Sequence, residues 1–138
     1  MNNKILLELV SPDRLLLSEE VEEVVVPGLL GDIGILPGHT PLLTSLRVGE
    51  VSYATDGAVE YIALENGFLE ISDDKIVILA ESAELGREID LEEAIKRKLE
   101  AEKVLEAVKK EDVLKFKHAE IALKRELLKI FVAEKYKK

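Results

Sequence analysis

The side chains best suited to acid–base or metal chemistry are two histidines, His39 and His118, and neither has partners at a useful spacing. They fall in different parts of the chain, with no paired carboxylates or cysteines grouped around them, so no metal site is expected. Cysteine is absent, which removes thiolate ligands and any disulfide framework. No serine sits in a nucleophile-elbow pattern, and no glycine-rich loop ends in Lys-Ser or Lys-Thr. The chain is therefore expected to catalyse nothing by itself. Asp32 and His39 stand out because both fall in one turn-rich stretch. Their ordinary roles would be an aspartate bonding turn amides and an imidazole bonding backbone.

That stretch runs from Val26 to Leu43 and holds four glycines and three prolines among apolar pairs. Each Pro-Gly step, Pro27-Gly28 and Pro37-Gly38, asks for a tight turn: proline presets the first corner and glycine accepts positive φ at the next. Very short strands fit between them. Read from the residues alone, this is a compact double turn inside an all-β domain.

The bulk properties narrow the options. With 138 residues, 47% of them hydrophobic, the chain can bury one core and carry an appendage. No apolar run approaches the roughly 18 residues a membrane helix needs, and Met1-Asn2-Asn3-Lys4 shows no targeting pattern. A soluble protein, at most peripheral to a membrane, is expected. The net charge of −9 is uneven. Residues 1–84 carry −12, residues 85–114 carry −2, and residues 115–138 carry +5. An acidic body repels phosphate backbones, which argues against nucleic acid as a partner. The basic tail suits an acidic protein surface or an anionic ligand, or simply a solvated face.

Short alternating segments fill the first 84 residues: Ile5–Val10, Leu15–Leu17, Glu22–Val26, Val48–Ala54, Val59–Leu64, Phe68–Ile71 and Lys75–Ala80. Turns are expected at Asp56-Gly57, at Asp73-Asp74 and, as the strongest two-residue hairpin signal, at Asn66-Gly67. This spacing predicts a β-sandwich or flattened barrel. After Gly86 neither glycine nor proline interrupts the chain. Asp90 through Glu93 reads as a capping box opening a first helix. Leu91, Ala94, Ile95, Leu99, Ala101, Leu105 and Val108 share one half of its wheel. Lys109-Lys110 would close that helix and Asp112 would cap a second, running to about Lys135. In the second helix Phe116, Leu123 and Ile130, joined by Val113 and Leu127, make a seam for a neighbour. Leu114, Ile121, Leu128 and Val132 form another apolar stripe a quarter turn away. The fold class is thus α+β: an N-terminal antiparallel β-sandwich over 1–84, then an antiparallel two-helix hairpin over 88–138.

The order Pro-Gly-x-x-Gly-Asp-Ile-Gly-Ile-Leu-Pro-Gly-His-x-Pro-Leu-Leu, from Pro27 to Leu43, resembles the signature of the epsilon subunits of F-type rotary ATP synthases. Asn66-Gly67-Phe68-Leu69-Glu70-Ile71 and Val77–Glu84 look like that family's last sandwich strands, with Asn66 where Gly is usual. Phe116–Arg125 is similar to the second hairpin helix of its bacterial members. The resemblance implies a non-catalytic rotor subunit on the cytoplasmic face of the bacterial plasma (inner) membrane, held there through its complex. It implies the gamma subunit, the c-subunit ring and the alpha and beta subunits as partners. Proton flow through the ring would be coupled to ATP synthesis, and the C-terminal helices would inhibit ATP hydrolysis.

Residue by residue, Asp32 and His39 fall on the acidic and imidazole positions that meet the c-ring. Lys124, Arg125 and Lys129 fall on basic positions that meet the beta subunit when the helices extend. Some bacterial members bind ATP in the folded hairpin through Ile/Leu-Asp-x-x-Arg-Ala plus basic residues in the second helix. Here Ile89-Asp90-Leu91-Glu92-Glu93-Ala94 keeps Asp90, while Glu93 replaces the arginine, and Arg125 and Lys129 stand on the basic positions. A carboxylate beside a triphosphate repels it, so the resemblance implies no cofactor beyond weak ATP binding. Two other readings stay open: a stand-alone nucleotide-sensing module, and a β-sandwich adaptor for some other acidic partner.

Overall fold

The structure, a computed structural model, describes residues 3–136. Met1, Asn2, Lys137 and Lys138, counted above in the domain bounds and the basic tail, lie outside the described residues. Two compact units follow one another along the chain, Met1–Leu85 and Gly86–Lys138.

The first unit holds eight strands: β1 (Ile5–Val10), β2 (Leu15–Val21), β3 (Glu23–Gly28), β4 (Gly31–Ile35), β5 (Leu42–Leu46), β6 (Gly49–Thr55), β7 (Ala58–Ser72) and β8 (Lys75–Leu85). They are hydrogen-bonded in the order β2-β1-β8-β7-β5-β3-β4, with β6 joining β3 to β7. All pairs are antiparallel except β1 with β8, which run parallel. The antiparallel sandwich expected is therefore present, with one parallel pair added where the chain's first strand lies alongside its last.

Strand β7 explains how one sheet becomes two layers. Asn66-Gly67 is not a hairpin: both residues lie inside β7, whose pairing with β8 runs in one register from Ile62↔Leu85 to Ser72↔Lys75. Asn66 does take the left-handed φ of +53° that its type tolerates. That single reversal changes which side chains face inward. Before it the side chains in the core cluster are Ile62 and Leu64, with Ala63 between them buried outside that cluster, and after it they are Leu69 and Ile71, a switch of the core row from even to odd. Opposite, β8 switches from Ile76, Ile78 and Ala80 to Leu85. Strand β6 pairs with the first part of β7 and β5 with the second, on the same edge. One ribbon therefore serves both layers. Asp56-Gly57 and Asp73-Asp74 do form two-residue hairpins, and in both turns the two residues have positive φ as a type I′ turn requires. Ile5, Leu7, Leu9, Val24, Val26, Ile35, Val51 and Tyr53 close the core with β7 and β8. Full burial of each large aliphatic side chain contributes about 1.5–3 kcal/mol.

In the second unit a 3-10 turn, Gly86–Glu88, leads into α1 (Leu91–Ala107) and α2 (Val113–Tyr136), which pack against each other as a hairpin. Asp90 is the N-cap: its Oδ1 accepts a hydrogen bond from Glu93 N at 3.1 Å. The reciprocal half of the capping box does not form, because the Glu93 carboxylate pairs with Arg97 one turn on, at 3.3 Å. Asp90→Ala should weaken α1 by about 1 kcal/mol; faster amide exchange over residues 91–95 would measure it. Lys109 and Lys110 lie beyond the helix, which already ends at Ala107, while Asp112 caps α2 through Lys115 N as expected.

The apolar seam is displaced from the one expected. The buried side chains of α2 are Ala119, Glu126, Val132 and Ala133, with Phe116, Leu123 and Ile130 only half-buried. Val113, Leu114, Ile121 and Leu127 are exposed. In α1 only Ala94 is buried, and Ile95 and Leu99 face solvent. Alanines make up much of the buried set, Ala94 in α1 and Ala119 and Ala133 in α2, and most of the larger apolar side chains are half-buried or exposed.

Candidate functional site

Only one of the two Pro-Gly steps is a turn. At Pro37-Gly38 the chain reverses, with Gly38 at φ +82° and His39 N bonded to Leu36 O at 3.1 Å. Pro27-Gly28 instead ends β3, and the reversal comes at Leu29-Leu30, because Gly28 pairs with Gly31 across β3 and β4. Two leucines thus form the tip of a hairpin. Leu30 is fully exposed and Leu29 is 63% exposed, and neither has positive φ, so no backbone strain explains their placement.

Asp32 lies on β4 directly across from Pro27. Its Oδ1 accepts a hydrogen bond from Arg47 Nη2 at 2.8 Å, and both side chains are substantially exposed. The Arg47 backbone amide donates to Pro27 O at 2.9 Å. His39 Nδ1–H donates to Thr40 O at 2.7 Å, which leaves Nε2 as the acceptor of the neutral ring. The loop carrying His39 is anchored by Gly38 N, which donates to Asp74 Oδ1 in the β7–β8 turn at 2.6 Å. No hydrogen bond or ion pair joins Asp32 to His39 among the described residues. They belong to one stretch but are held by different anchors.

Sequence reasoning missed Leu29, Leu30, Arg47 and Asp74 here. A signal existed for three of them. Gly-Leu-Leu-Gly places large apolar residues where hairpin tips favour Asn, Asp or Gly. Arg47 is one of only four cations in residues 1–84, so an isolated partner for an acid was to be expected.

On the sandwich, a groove of about 470 Å³ is lined by Val10, Pro12, Leu46, Phe68, Leu79 and Ala80. Phe68 and Leu79 are a cross-strand pair, each more than half exposed. On the hairpin, Lys124 is exposed while Arg125 and Lys129, one turn apart, are half-buried and flank buried Glu126. Asp90 is engaged as the cap of α1. Among the described residues no group of three or more histidine and acidic side chains is placed to hold a metal, and no helix is long and apolar enough to cross a membrane.

Residues 4–86 match the family described as the ATP synthase delta/epsilon chain, beta-sandwich domain. The class is thus a sandwich-plus-hairpin subunit of that complex. Relatives extend the match to the helices. The ATP synthase epsilon chain of Geotalea daltonii is 44% identical over 135 residues, 98% of this chain and 97% of the relative. That of Desulfitobacterium hafniense is 46% identical over 127 residues, covering 92% and 94%. The chain belongs to the ATP synthase epsilon family. Its fold also matches a chain in the Euglena gracilis mitochondrial ATP synthase OSCP/F1/c-ring structure, with a TM-score of 0.74 at 24% identity over 99% of this chain and 82% of that one.

Proposed function

We propose that this subunit is a non-catalytic part of the central stalk, turning with the rotor and linking proton flow through the c-ring to ATP synthesis. The observation that carries the reading is the stretch 26–43. It displays Asp32, His39 and two exposed leucines on short, well-anchored segments rather than burying them. Asp32 and His39 contact the c-ring, and the His39 Nε2 acceptor asks for a donor there. The exposed Phe68–Leu79 pair and its groove supply the apolar surface a protein contact needs, which suits the gamma subunit. The chain sits on the cytoplasmic face of the bacterial membrane through these contacts.

The hairpin is the regulatory element. Lys124, Arg125 and Lys129 meet an acidic surface of the beta subunit when the helices extend, and opposite charge steers that docking. The exposed apolar residues of α1 and α2 support an element with more than one partner surface. Removing residues 88–138 from the assembled enzyme should raise ATP hydrolysis severalfold, by shifting a two-state equilibrium of about 1 kcal/mol. Assembly should stay intact. A steady-state ATPase assay of the reconstituted complex measures it, and unchanged hydrolysis overturns the regulatory part.

A further inference from the structure

We propose that Arg47 is the positioning residue of the β3–β4 hairpin, so that any contact made through Asp32 depends on Arg47 as much as on Asp32 itself. Three observations converge on it. Pro27 and Asp32 are one cross-strand pair, Pro27 on β3 and Asp32 on β4. Arg47 bonds both members, its backbone amide to Pro27 O and its guanidinium to Asp32 Oδ1. Gly49 keeps the space open: a Cβ there would stand 2.9 Å from Arg47 Nη1 and 2.9 Å from Pro27 Cβ. Pro27 O turns to the Arg47 amide rather than to Asp32 across the ladder, while Asp32 meets the same residue through its side chain. Arg47 ties the pair from outside.

The consequence for Asp32 is direct. Its carboxylate is not a bare acid offered to a partner; one oxygen is already engaged by the Arg47 guanidinium through a single Nη2–Oδ1 contact of 2.8 Å. An exposed pair of this kind adds little to stability. What it fixes is the direction in which β4, the Leu29-Leu30 tip and the remaining Asp32 oxygen point. This inference rests on the c-ring reading for its functional consequence, but not for its structural test.

The full chain is compared with Arg47→Ala, Arg47→Lys, Gly49→Val and Asp32→Ala. Amide hydrogen exchange over residues 31–35 is measured on the isolated chain, and binding to the detergent-solubilised c-ring with gamma subunit is measured alongside. Arg47→Ala should speed exchange in β4 and weaken ring binding, each by roughly two- to fivefold, with no comparable change in β1 or β8. Arg47→Lys should recover part of both, and Gly49→Val should reproduce Arg47→Ala without removing a charge. Unchanged β4 exchange in Arg47→Ala overturns the proposal, whatever the ring does. Faster β4 exchange with ring binding unaffected in every variant, Asp32→Ala included, would instead remove the c-ring reading and leave the positioning role standing.

Discussion

Gly67→Val is expected to lower the melting temperature of the sandwich by about 12–24 °C, from a loss of roughly 3 kcal/mol at about 4–8 °C per kcal/mol for a domain of this size. A Cβ at Gly67 would stand 2.5 Å from Leu79 O and 3.3 Å from Ala80 Cα. Both are backbone atoms of β8, hydrogen-bonded in register with β7, so no side-chain rotation relieves the clash. The two strands would have to separate at the point where buried positions change parity, disturbing Leu64 and Leu69 together. Gly34 is the matched control: nothing lies within 4 Å of a Cβ there, and Gly34→Ala should change stability by no more than about 0.5 kcal/mol. Thermal unfolding followed by circular dichroism distinguishes them. Equal melting temperatures for the two variants would mean that β7 and β8 are not so closely apposed.

Glu126→Leu is expected to stabilise the helical hairpin by about 2 kcal/mol, within the usual cost of a buried polar group left without a partner. Glu126 is only 7% exposed, and its Oε1 is buried with no hydrogen-bond partner among the described residues. It interrupts a stripe whose other members one heptad away, Ala119 and Ala133, are apolar and buried. Leucine removes the unsatisfied oxygen at similar volume. Slower amide exchange across residues 119–133 measures the gain. If the hairpin must leave its folded packing to restrain hydrolysis, the same variant should inhibit less. Exchange as fast as in the unsubstituted chain would show that water reaches the carboxylate.

Much of the sandwich was legible in the sequence because alternation and turn chemistry agree there. Ile5–Val10 read as a strand and is one, with Ile5, Leu7 and Leu9 inward, and Asp56-Gly57 and Asp73-Asp74 are the turns their types suggest. Asn66-Gly67 misled because positive φ is shared by two outcomes. In a two-residue turn it reverses the chain, and within a long strand it only rotates the face that points inward. Nothing local distinguishes them; the continuous pairing of β8 on both sides does. Pro27-Gly28 misled for a related reason, since a proline is tolerated where a strand ends and its missing donor is not required. In the helices, heptad counting favoured large side chains, whereas the buried positions of α2 are Ala119, Ala133, Val132 and, against its type, Glu126. Asp32 and His39 were visible as candidates from their stretch. Their anchors were not, because Arg47 and Asp74 come from elsewhere in the chain and meet it only after folding.

The shared β7–β8 ribbon has a mechanical corollary. In a sandwich of two separate sheets, shear between layers is resisted by side-chain contacts that can slide. Here two covalent backbones cross from one layer to the other, so twisting one face drags the other through peptide bonds. Such a body should resist shear between its faces more than a pair of separate sheets would.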